Sequence, residues 1–147
     1  MTKKKKQNVF VEGPISPAFI AENITSHSTK LDIGGHAIFL GQVRGDVYHE
    51  QKVKAIEYSC YRAMADKKMY EIREYAFARF EIACMHIYHS LGKVKAGDIC
   101  VFVFVSSRHR KASMDACREI IERIKTEVPI WGKEIFEDES YKWKNNS

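Results

Sequence analysis

Val101-Phe102-Val103-Phe104-Val105 runs into Ser106-Ser107-Arg108-His109-Arg110, and this junction decides how the chain is read. The five residues are all β-branched or aromatic and show no polar alternation, so they predict a strand covered on both faces. A helical pattern follows from about Lys111 to Thr126, with Ala112, Ala116, Cys117, Ile120, Ile121 and Ile124 along one stripe. Lys125 borders that stripe in the last turn, and Pro129 stops the helix. Cations at the end of a buried strand and of a packed helix lie at the rim of a core. That placement suits a pocket for an anion, phosphate being the commonest small one in metabolism.

Outward from this junction, Ile82 to His89 reads as a strand, and Leu91 to Asp98, with Gly92 and Gly97, as a loop into Ile99. Upstream, from Met64 onward, Ala65, Met69, Ile72, Ala76 and Phe80 recur every three or four residues, the period of a helix with one buried face. Val53 to Tyr58 and His36 to Val43 are strand patterns, with Gly41 marking a bulge or close backbone approach. The polar stretch from Arg44 to Gln51 joins them, so the two strands are expected to pair around it. Ser16-Pro17 places an N-cap before a proline at the first helical position and predicts a helix to about Ser26. Val9-Phe10-Val11 is a short strand ended by Gly13-Pro14, and the tail around Tyr141 and Trp143 can dock as a last strand. Strands and helices do not alternate strictly, which favours α+β over a doubly wound sheet.

At 147 residues the chain suits one domain, expected over residues 9–147 behind a disordered basic tail at 1–8. Lys3, Lys4, Lys5 and Lys6 account for four of its five net positive charges, so the body is near neutral. A nucleic-acid-binding fold would carry its basic surplus on the fold itself, and no nucleic-acid partner is expected. No apolar run is long enough to span a bilayer and no secretory signal is visible, so a cytoplasmic, membrane-free protein is expected. Cys60, Cys84, Cys100 and Cys117 stand singly, as reduced core thiols do. His86 and His89 point to opposite faces of a strand, which argues against a shared metal ion.

Three groups of cations remain. Arg108-His109-Arg110-Lys111 opposes the dipole of the helix it precedes, a placement an anion would relieve. Lys125 and Lys133 flank Pro129-Ile130-Trp131-Gly132, where apolar neighbours that desolvate an amine would lower its pKa. Arg44 ends a strand and serves either as surface charge or as a further anion ligand.

These segments resemble a known family. Phe39-Leu40-Gly41-Gln42-Val43-Arg44, Glu57-Tyr58 with Tyr61 and Met64-Ala65, His89-Ser90-Leu91-Gly92 with Gly97-Asp98, Ser107-Arg108-His109-Arg110, and Lys125 with Val128 to Glu134 match the large, catalytic subunit of molybdopterin synthase in order and spacing. The likeness runs from about Val9 to Trp143. It implies an α/β hammerhead-type α+β fold, with a mixed or antiparallel sheet and about three helices. It also implies a homodimer within a heterotetramer, each protomer binding a small ubiquitin-like sulfur-carrier subunit. That subunit would deliver sulfur as a C-terminal thiocarboxylate. Two sulfurs would enter cyclic pyranopterin monophosphate and open its cyclic phosphate, with no cofactor or metal.

By the same resemblance Lys125 is the principal catalytic lysine, acting as general acid/base or transient covalent partner. Arg44, His109 and Arg110 hold substrate, Phe39 walls the pocket, and Gln42, Val43, Gly132, Lys133 and Glu134 complete its surroundings. One departure stands out. Many relatives carry two basic residues directly after the tryptophan, whereas Gly132 takes the first place here and Lys133 the second. Backbone freedom at Gly132 is expected to let Lys133 swing into the vacated place as a second catalytic amine. The alternatives are a non-catalytic phosphate-ligand or nucleic-acid binding module, and a dimeric subunit that has lost its chemistry.

Overall fold

The computed structural model describes residues 9–144, so the Lys3–Lys6 run lies outside the described residues. In chain order the elements are β1 (Phe10–Glu12), α1 (Pro17–Ser26), β2 (Gly35–Gln42), β3 (Val47–Tyr48), β4 (Gln51–Cys60), α2 (Arg62–Arg79), β5 (Cys84–Lys95), β6 (Ile99–Ser107), α3 (Arg110–Glu127), β7 (Ile130–Phe136) and β8 (Tyr141–Trp143). The sheet runs β2-β6-β5-β4-β7-β8 with antiparallel neighbours, β3 joins β4, and β1 lies parallel to β5. This is an α+β fold. No helix among the described residues is long and apolar enough to cross a membrane.

β6 is covered on both faces. Val103 and Val105 pack with Ala65, Met69 and Ile72 of α2 and with Ala116, Ile120 and Ile124 of α3. Phe102 and Phe104 face the other way, against Ile15 and Ile20. All four are fully buried. Burial contributes about 1.5–3 kcal/mol for a side chain of this kind, so this strand anchors both layers.

Local chemistry sets the helix starts. Ser16 Oγ accepts the Phe19 N–H at 3.2 Å, and Pro17 follows where its missing donor is not needed. At α3 the N-cap His109 contributes no side-chain bond; the buried Ser107 hydroxyl accepts the Ser113 N–H at 3.0 Å instead. The predicted bulge falls at Gly41, where the β2–β6 register slips. A Cβ there would lie 2.2 Å from Val101 Cγ1, so any other residue would force Val101 to shift.

Two sequence expectations are corrected. β2 and β4 do not pair, because His49 and Glu50 both take positive φ (47° and 68°). That tight turn folds β3 back on β4, leaving β2 to pair with β6. The segment expected to be a loop from Leu91 remains strand as far as Lys95. Gly92, at φ 80°, lets β5 leave β6 and continue along β4.

Candidate functional site

β2, β4, β5, β6 and β7 meet beneath the C-terminal end of α3 around a cavity of about 350 Å³. β2 contributes Phe39, Leu40, Gly41 and Gln42 in succession, and β6 contributes Cys100, Val101 and Val103. Phe39, Val103, Ile121 and Ile124 form apolar walls, and Tyr58, His89 and Gly132 line it from the central strands. Three cations contribute to the lining: Arg44 just past β2, Lys125 in the last turn of α3, and Lys144 just past β8.

The floor is neutral. His89 Nδ1 lies 2.8 Å from the Ser90 carbonyl oxygen, so Nδ1–H donates and Nε2 is left as an acceptor. Burial pushes the His89 pKa down to about 4, opposed by the Ser90 hydrogen bond and reinforced by the Lys125 charge. Tyr58 stands edge-on to that ring at 5.1 Å. Burial, then Cys100 and Glu134, drive the Tyr58 phenol far above its ordinary value, so it stays protonated. A cationic rim over a neutral donor and acceptor can hold an anionic substrate and leave proton movements to the floor and the amines.

The sequence-predicted residues divide into two sets. Phe39, Gln42, Arg44, Lys125 and Gly132 all line the cavity. Arg44 is largely exposed and pairs with Asp46 at 3.3 Å. Lys125 is exposed at the rim, so its apolar neighbours do not enclose its amine.

The others lie elsewhere. Val43 is buried, and its backbone bonds Asp98 O at 3.0 Å and Gly97 N at 2.8 Å. Glu134 is buried, 3.9 Å from Lys142 Nζ. His109 and Arg110 begin α3 whereas Lys125 ends it, a separation of about 22 Å at the helical rise.

The swing expected of Lys133 does not occur. Gly132 pairs with Tyr58 in regular strand backbone, without a positive φ. Alternation turns the next side chain to the opposite face, where Lys133 Nζ sits 3.2 Å from Glu57 and 4.6 Å over the Tyr141 ring.

Sequence reasoning did not select Tyr58, His89 or Lys144 as site residues. The first two stand inside the family-like blocks, which was the available signal. Lys144 is one of several charges in the tail, and only the docking of β8 reveals its position.

The family model described as MoaE protein matches residues 11–127. The chain is 38% identical over 120 residues to the molybdopterin synthase catalytic subunit of Oryza sativa subsp. indica, covering 82% of this chain and 61% of that relative. It therefore spans about three fifths of the rice protein's length. Molybdopterin synthase from Staphylococcus aureus superposes with a TM-score of 0.82 at 34% identity, over 97% of this chain and 99% of that one. A complex of subunits 1 and 2 of molybdopterin-converting factor from Helicobacter pylori shares the fold at 17% identity, with a TM-score of 0.79 over 92% of this chain and 88% of that one.

Proposed function

This chain belongs to the MoaE protein family, and on that premise we propose that it is the catalytic subunit of a molybdopterin synthase. It converts cyclic pyranopterin monophosphate to molybdopterin in two sulfur transfers, each taking one dithiolene sulfur from the C-terminal thiocarboxylate of a small ubiquitin-like subunit that leaves as the carboxylate. One observation carries the reading. Arg44 and Lys125, far apart in numbering, line one apolar-walled cavity over His89 and Tyr58. A cyclic phosphate ester needs cations on its oxygens. A pterin ring needs apolar walls and a few polar groups, and Phe39, Tyr58 and His89 are of that kind.

In this reading Lys125 moves protons at the reacting carbon and phosphate oxygens. As an exposed amine on the last turn of a rigid helix, it is reachable by an incoming peptide terminus. The family resemblance implies that some pocket groups come from a neighbouring protomer, and His109 and Arg110, about 22 Å along α3 from Lys125, are assigned to that role. The edge strand β2, with Ile38 and Leu40 about 40% exposed, is available for such a homodimer. Each protomer carries one small subunit, and the reaction takes place in the cytoplasm. This reading assigns no metal or cofactor to the reaction.

The deciding assay mixes the purified chain with thiocarboxylated small subunit and cyclic pyranopterin monophosphate, then measures dithiolene product. Product that depends on all three components is expected. A chain that binds the small subunit yet forms no dithiolene would refute the proposal.

A further inference from the structure

Gly132 lies where β7 packs closely on β4. A Cβ there would stand 3.0 Å from Ile56 Cγ2 and 3.4 Å from Tyr58 Cε1, a close fit that asks the Ile56 methyl to shift slightly. The third neighbour of that position is Lys144, whose Cβ lies 3.7 Å away. This proximity follows from register. β7 and β8 pair Lys133 with Trp143 and Glu134 with Lys142, which brings Lys144 opposite Gly132. The Lys144 N–H donates to the Gly132 carbonyl at 2.8 Å and anchors the juxtaposition. Alternation along β8 sends Lys142 towards Glu134 and Tyr48, and Lys144 to the same face, where it lines the cavity.

Resting on the molybdopterin synthase reading, we propose that Lys144 is the pocket's second substrate-contacting amine, entering the cavity beside Gly132 from just past β8. Its ammonium holds an anionic oxygen, supplied either by the cyclic phosphate of the pterin or by the thiocarboxylate terminus of the small subunit. Lys133, next to the glycine in sequence, has no part in this, because Glu57 holds it on the far face.

Wild-type, Lys144→Ala and Lys133→Ala chains are assayed with thiocarboxylated small subunit and cyclic pyranopterin monophosphate. Losing a charge-assisted hydrogen bond corresponds to about 10–100-fold in kcat/KM, and that loss is expected for Lys144→Ala. Lys133→Ala is expected to stay close to wild type, and Lys144→Arg to recover part of the loss. A raised KM for the pterin identifies the cyclic phosphate as the anion; a raised KM for the small subunit identifies its terminus. Acetic anhydride labelling, read by peptide mass spectrometry, should find Lys144 shielded by whichever of the two it contacts and Lys133 unaffected by either. Wild-type kcat/KM in Lys144→Ala, or a Lys144 left unshielded by both ligands, would overturn the assignment while leaving sulfur transfer intact. An inactive wild-type chain would instead overturn the parent reading.

Discussion

His89 and Tyr58 meet edge to face at the bottom of the cavity, their ring centroids 5.1 Å apart at 87°. Neither group carries charge at neutral pH, for the same physical reason: each is buried, and burial penalises its ionised form. Three exposed or half-buried cations share the cavity with them. The site therefore divides into a rim that attracts anions and a floor that stays neutral.

This division makes the fold acid-sensitive. His89 titrates at about 4 when folded against 6.5 as an ordinary imidazole, so between those values the unfolded chain binds more protons. Stability should be fully present above pH 6.5 and fall as pH drops towards 4, by roughly 3 kcal/mol for a gap of this size. His86, also lowered to about 4, chiefly by burial and then by His27, adds to the slope in the same direction. Urea midpoints of wild type and His89→Gln from pH 7 to 4 check this. Identical slopes would show that His89 is not the buried base described.

Lys125→Ala should lower turnover by about 10²–10⁴-fold, as removal of a positioned acid or base does. Because the side chain is exposed, the melting temperature should hardly move. Single-turnover rates together with calorimetry test both halves. A large loss of stability, or unimpaired turnover, would remove Lys125 from its role.

If Arg110 acts on a neighbouring protomer's pocket, two inactive variants should rescue each other. Lys125→Ala and Arg110→Ala, mixed and allowed to exchange subunits, would form hybrid dimers with one intact pocket. Random exchange then restores about a quarter of wild-type activity. No recovery, despite hybrids seen by native mass spectrometry, would mean that the two residues serve one pocket together or none.

Gly41→Ala tests the close approach of β2 to β6. The added methyl would fall 2.2 Å from Val101 Cγ1, so overpacking should cost about 1–3 kcal/mol. A Gly41→Ala/Val101→Ala pair should recover much of it. An unchanged denaturation midpoint in the single variant would contradict the packing described.

Elements with a strong local signal were legible in advance. Ser16-Pro17 marked the start of α1, the spacing from Ala65 to Ala76 marked α2, and the unbroken apolar run at Val101 marked a strand buried on both sides. Arg44, Lys125 and Phe39 were legible as pocket residues because they lie in blocks that resemble a known family, and all three line the cavity. Strand partnership was not legible. Whether β2 pairs with β4 or β6 depends on a two-residue turn at His49-Glu50 and on hydrogen bonds between distant segments. The direction of Lys133 is not legible for a related reason. The sequence shows the backbone freedom of Gly132, whereas regular strand alternation decides where the next side chain points.

Taken alone, the amino-acid order determined which stretches become helix or strand, where apolar faces lie, and that cations collect at the ends of buried elements. Those are short-range properties, set by backbone preferences and by hydrophobic period over a few residues. Tertiary structure decided that His89 and Tyr58 floor the cavity, that Arg110 stands a helix length from Lys125, and that Lys144 faces Gly132. Such relationships arise from sheet register between segments far apart in the chain, and a one-residue shift in pairing would turn each side chain to the other face.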